Sequence, residues 1–201
     1  MVALGRRHDW HEGHAEQVAR LALELHRQIP LEELRHGPAD EWLEYGALLH
    51  DIGCILDYAK HHKHAERLIR AGDLPGFDPR EIDIIALVAR FHRKRPPEAG
   101  HAAFGGMERT DYLTVRGLSA LLRVADGLDR GHRNVVRGIV VRRAERRVEI
   151  GVVAAGNADL EMWAARRKSD LLAAVTGCRL VIGVIDRVQL PGGDMDHARL
   201  V

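Results

Sequence analysis

The stretch ALLHDIGC, residues 47–54, decides how this chain reads. An apolar helical run over residues 39–51, with Trp42, Leu43, Ala47, Leu48 and Leu49 mostly inward, ends in an imidazole, a carboxylate and a glycine: His50, Asp51 and Gly53. Neighbouring side chains on a regular helix diverge by about 100°, so His50 and Asp51 can face one point only where the helix stops. Together they suit a divalent ion such as manganese, iron, magnesium or zinc. A dipeptide is weak evidence by itself, and the rest of the chain has to supply the other ligands.

Working outward, residues 13–29 carry an apolar stripe of Val18, Leu21, Leu25 and Ile29 at helical spacing, stopped by Pro30. His14 lies at its start. Asp126 sits in ALLRVADGLDR, residues 120–130, on the apolar side of a helix predicted over 114–129. A charged carboxylate on such a face costs several kcal/mol unless a cation or hydrogen-bonded partner meets it, so Asp126 calls for a metal or for Arg130 one turn on. Between these lie a helix over 61–71, closed by Gly72, and one opening at Asp78. Asp78, Pro79 and Glu81 make an N-cap, a first-turn proline and a capping box, followed by the stripe Ile82, Ile85, Val88 and Ala89. Residues 94–111 read as a loop, marked by Pro96-Pro97 and Gly105-Gly106.

Beyond residue 133 the period changes. VVRGIVVRRAERRVEIGVV, residues 135–153, alternates apolar and polar and predicts a hairpin turning near Ala144-Glu145. A helix over 159–175 and a strand over Leu180–Ile185 follow. The expected fold is mainly α: a helical domain over 1–133, a small β-β-α-β appendage over 134–190 and a frayed tail over 191–201.

The 201 residues carry a formal charge of +1, so any anion recognition has to be local. Two cysteines, Cys54 and Cys178, form neither a disulfide framework nor a ligand-spaced pair, which fits a reducing cytoplasmic setting. The N-terminus has no apolar run and the chain no membrane-length stretch, so no membrane partner is expected. Histidine is the unusual residue: eleven of the 13 fall within the first 101 positions. It is the commonest neutral metal ligand, which places the chemistry in the helical half.

His14, His50-Asp51 and Asp126 in this order, with HDIG at residues 50–53, resemble the signature of the HD-domain metal-dependent phosphohydrolase superfamily. More narrowly, HAEQVARLALEL (14–25), LLHDIG (48–53), HHKHAERLI (61–69), LPGF (74–77), ARFHRK (89–94) and LLRVADGLDR (121–130) are similar to the C-terminal half of exopolyphosphatase and guanosine pentaphosphate phosphohydrolase enzymes. That family carries an actin-like phosphatase half in front, to which nothing in these residues corresponds. The resemblance implies an HD-domain core. It also implies a metal at His14, His50, Asp51 and Asp126. By similarity to two-metal HD proteins, a second ion is expected at His64 and His92 with Asp51 as the bridge, His61 being the rival to His64. His50 and Asp51 would be the catalytic centre.

Lys63, Arg93, Lys94 and Arg130 flank these positions and are the expected phosphate contacts. The later run Arg166-Arg167-Lys168 reads mainly as a solvated face, and with few aromatics nearby nucleic acid is an unlikely partner by chemistry. Two functions follow from the resemblance. One is hydrolysis of a phosphate ester or phosphoanhydride (a nucleotide, a (p)ppGpp-like molecule or polyphosphate) by a metal-activated water. The other is a non-catalytic polyphosphate- or nucleotide-binding module that forms a homodimer or works with a separate actin-like phosphatase subunit.

Overall fold

The apolar stripe that begins at His14 forms the central helix of the molecule. In the computed structural model, which describes residues 1–185 apart from 9 and 36, helix α2 (Glu12–Gln28) buries Val18, Leu21, Ala22 and Leu25. A short helix, α1 (Val2–Arg7), precedes it. Helices α3 (Ala39–Leu49), α4 (His61–Ala71), α5 (Pro79–Arg90) and α6 (Arg109–Gly127) complete the helical layer, with α2 against α3 and α6, and α5 against α3, α4 and α6. The expected capping box opens α5: Asp78 accepts from the Glu81 backbone at 2.8 Å, and Glu81 accepts from the Asp78 backbone at 3.1 Å. Helix α6 starts at Arg109, five residues before the position expected from periodicity. Asp111 in its first turn takes a two-bond grip from Arg80 at 2.8 and 2.6 Å, which fixes that turn to α5.

Strands β1 (Val136–Ala144) and β2 (Arg147–Ala154) form the predicted hairpin, turning at 145–146. Helices α7 (Asp159–Lys168) and α8 (Asp170–Thr176) then carry the chain across to β3 (Arg179–Val184), which pairs parallel with β2 in the order β1-β2-β3. The single helix expected over 159–175 is divided at Ser169, whose hydroxyl bonds back to the Arg166 carbonyl at 2.9 Å. The tail over 191–201 lies outside the described residues.

The polar side of α2 closes the free edge of β1. Glu24 and Gln28 accept from the backbone N–H groups of Ile139 and Val141, both at 2.9 Å, while Gln17 donates to the Val136 carbonyl at 2.6 Å. Side chains thus take the place of a neighbouring strand. One buried cluster runs from Leu21, Leu43 and Leu118 through Val136 and Ile150 to Leu172 and Ile182, so sheet and helices share a core. Two glycines set close approaches. A methyl at Gly53 would lie 2.3 Å from the His61 carbonyl oxygen, and one at Gly127 would lie 2.7 Å from the Ala165 backbone. The first presses the turn after α3 onto the start of α4; the second presses α6 onto α7. Among the described residues, no helix is long and apolar enough to cross a membrane.

Candidate metal centre

Three helix ends converge at one point, and the same local device shapes each. Helix C-terminal carbonyls lack intrahelical partners. His50, capping α3, turns its Nδ1 to the Ala47 carbonyl at 2.6 Å, and His92, just past α5, turns its Nδ1 to the Ala89 carbonyl at 2.6 Å. His61, opening α4, does the same to the Tyr58 carbonyl at 2.8 Å. A carbonyl only accepts, so Nδ1 is the donor at His50 and His92; at His61 the Arg93 guanidinium also lies 3.0 Å from Nδ1 and 3.2 Å from Nε2. His14 is held by a carboxylate instead: its Nδ1 lies 2.8 Å from Asp129 Oδ2, and buried Asp129 is itself held by the Asn134 backbone N–H at 2.9 Å. Such partners fix the tautomer and aim of a metal-binding histidine.

All four Nε2 atoms turn toward two carboxylates. Asp51 Oδ1 is 3.0 Å from His61, 3.5 Å from His50 and 3.6 Å from His92, and its Oδ2 is 4.0 Å from His14. Asp126 Oδ1 is 3.9 Å from His14 Nε2. Among the described residues, three groups have the spacing to hold a divalent ion: His14, His50 and Asp126; His50, Asp51 and His92; and Asp51, Cys54 and His61. The donor set fits a metal on two further observations. The His50 Nε2 and Asp51 Oδ1 atoms are buried without a hydrogen-bond partner. The Nε2 atoms of His61 and His92 face each other at 3.1 Å, a separation that two ligands of one ion can have. Imidazole and carboxylate donors of this kind suit manganese, iron, zinc or magnesium.

The electrostatics agree with that donor set. Burial holds the His50 and His92 imidazoles below their ordinary value, His92 further lowered by His50. Burial would raise the Asp51 carboxyl, but His50, His61 and His92 hold it well below the carboxylate range. Asp126 is likewise buried and is lowered by Lys168 before His92 and His50. Burial and then Asp51 push the Cys54 thiol up to about 12, so it is protonated at neutral pH.

Sequence expectation and structure part at particular residues. His14, His50, Asp51, His92 and Asp126 come together. His64 belongs to none of the three groups, and His61 stands in the place expected for it: His61 opens α4 against Asp51, whereas His64 is one turn further along with its Cβ beside Gly53. Arg93, Lys94 and Arg130 line a cavity of about 490 Å³ over the cluster, but exposed Lys63 does not. The partner of Asp126 is Lys168 rather than Arg130. Arg167 and Lys168, read from sequence as a solvated face, both line the cavity, along with Trp10, His11, Tyr58, His132 and Trp163. His132 stacks on His14 with ring centroids 3.7 Å apart.

Backbone strain gathers here too. The three non-glycine residues with positive φ among those described are Lys94, His132 and Asn134, at 61°, 53° and 52°. Lys94 and His132 line the cavity and Asn134 anchors Asp129. Arg123, buried beneath, holds the Lys94 carbonyl at 3.2 Å. Strained positions of this kind persist where the surroundings over-determine them, and they concentrate at functional sites. Clustered histidines in the first half were the one sequence signal that pointed toward His11.

With this geometry in hand, the chain can be placed: it belongs to the Ppx/GppA phosphatase domain III family, whose model matches residues 1–152. It is also similar to proteins named guanosine-5'-triphosphate,3'-diphosphate pyrophosphatase. That of Pseudoalteromonas translucida (strain TAC 125) is 34% identical over 79 residues, covering 39% of this chain and 15% of that protein. That of Aeromonas hydrophila is 34% identical over 85 residues, covering 42% of this chain and 17% of that protein. The matched stretch is therefore a small part of the relatives' length.

Proposed function

We propose that this chain is a divalent-metal-dependent phosphohydrolase acting on a phosphoanhydride or phosphate ester of a nucleotide, a (p)ppGpp-like molecule or polyphosphate. The observation that carries it is the set of four imidazoles whose Nε2 atoms turn on Asp51 and Asp126. His14, His50, Asp51 and Asp126 would hold one ion, and Asp51, His61 and His92 a second. When bound, such ions lower the pKa of water and neutralise phosphoryl charge. The protein's own side chains do the rest. Arg93, Lys94, Arg130 and Lys168 line the cavity as a cationic rim for phosphoryl oxygens. Asp129 and the Ala47, Tyr58 and Ala89 carbonyls keep the imidazoles from swinging. The names of the relatives, which describe a pyrophosphatase for a guanosine polyphosphate, support this substrate class.

A second reading has its own support. The match takes in only 15% and 17% of two such relatives, and in this reading the unit binds the phosphorylated ligand without hydrolysing it. Incubation with Mn²⁺ and a panel of nucleoside polyphosphates, pyrophosphate and polyphosphate separates the two. The hydrolase reading expects phosphate release that falls on the order of a thousandfold or more in Asp51→Ala. Full metal loading with no release from any of these substrates would establish the binding module instead.

A further inference from the structure

Helix α7 lies outside the residues matched by the family, 1–152, yet it brings Trp163, Arg167 and Lys168 to the cavity. Trp163 is 56% exposed, and Tyr58, from the turn before α4, is 64% exposed; both line the cavity with Asp51. Scattered exposed aromatics need no explanation, but these two share one cavity, and each lies under an arginine that lines it as well. The Arg167 guanidinium carbon is 5.1 Å from the Trp163 ring centre, and that of Arg93 is 6.0 Å from the Tyr58 ring centre. Inorganic phosphate chains need cations alone. Aromatic faces beside cations are what a nucleobase joined to phosphates needs, because every base has a π-face to stack.

The platform is rigid. Buried Glu161 accepts from the Gly131 backbone at 3.0 Å, Arg166 donates to the Ile182 carbonyl at 2.8 Å, and α7 touches α6 at Gly127. The cavity of about 490 Å³ falls in the range that holds small organic ligands rather than lone phosphate.

We propose that Trp163, with Tyr58 across the same cavity, is a base-binding subsite that stacks the purine ring of a nucleoside polyphosphate while Arg93, Arg167 and Lys168 receive its phosphates. The inference rests on the phosphate-handling reading of the cavity and names its substrate class.

Calorimetric titration of the full chain in Mg²⁺ with GDP, ADP and inorganic pyrophosphate tests it, using wild type, Trp163→Ala and Trp163→Phe. Both nucleotides bind wild type more tightly than pyrophosphate does. Trp163→Ala weakens the nucleotides about tenfold and leaves pyrophosphate within about twofold, while Trp163→Phe keeps most of the nucleotide affinity. The exposure of Trp163 makes misfolding an unsuitable explanation for a loss, and an unchanged melting temperature of Trp163→Ala verifies this. No nucleotide binding, no change in Trp163→Ala, or equal loss for nucleotides and pyrophosphate overturns the subsite. Phosphate release without preference for nucleotides would sink the subsite and leave the hydrolase standing. Trp163-dependent nucleotide binding without release would do the reverse.

Discussion

The helical layer supplies the lone-pair donors of the cavity and three of its cations, Arg93, Lys94 and Arg130, whereas the appendage adds cations and an indole but, among the described residues, no such donor. From α2, α3, α4, α5 and α6 come lone-pair donors: four imidazoles and two carboxylates, most of them buried and each imidazole pinned through Nδ1. From α7 come two cationic side chains and an exposed indole. The buried half is suited to holding a cation in fixed geometry; the exposed half is suited to meeting an anion from solvent. The contrast also follows the family boundary, since every residue of the three ligand groups lies within 1–152 and α7 lies beyond it. On the proposed reading, the helical layer would hold the metal and the outlying helix would set what binds.

Four substitutions break or sharpen that contrast, in decreasing order of effect. Gly53→Ala strikes the buried half hardest, because the new methyl meets the His61 carbonyl oxygen at 2.3 Å. Backbone has to move there, at a cost of about 1–3 kcal/mol. A melting temperature lower by several degrees and loss of the metal bound beside His61 are expected, read by calorimetry and by metal analysis. Asp129→Asn leaves the fold but removes the carboxylate that orients His14; metal affinity falls by about 10- to 100-fold in a competition assay with a chelating dye. Lys168→Met acts on both halves, since Lys168 also partners Asp126. It removes a charge-assisted contact, raising KM for a nucleoside polyphosphate about tenfold, with no loss of bound metal. His64→Ala has the smallest effect, within about twofold on metal affinity, because surface changes away from such features are near neutral. A loss in His64→Ala as large as in His61→Ala would reverse the assignment of those two positions.

The legible parts of this molecule are the local ones. The helix ending at HDIG, the capping box of α5 and the alternating hairpin are written in short-range spacing, and each forms where its residues predict. His14, His50, Asp51, His92 and Asp126 were readable because each sits in a short motif. His61 and His64 sit in the same motif one helical turn apart, and only the close approach at Gly53 decides which one faces Asp51. Lys168 was not readable at all as the partner of Asp126. The two are 42 positions apart, and what joins them is the contact of α6 with α7 at Gly127. Trp163 escaped notice for the same reason: one aromatic in a charged helix has no periodic signal, and its meaning comes from the cavity it lines.

The central claim, that the imidazole–carboxylate cluster holds divalent metal, is tested most directly by the metal content of the protein. The full chain is purified without chelator, dialysed against Mn²⁺ and then against metal-free buffer, alongside Asp51→Ala and His50→Ala. Retained metal in the wild type, sharply reduced in both variants, is the expected result. A wild type that retains no more metal than Asp51→Ala and His50→Ala contradicts it.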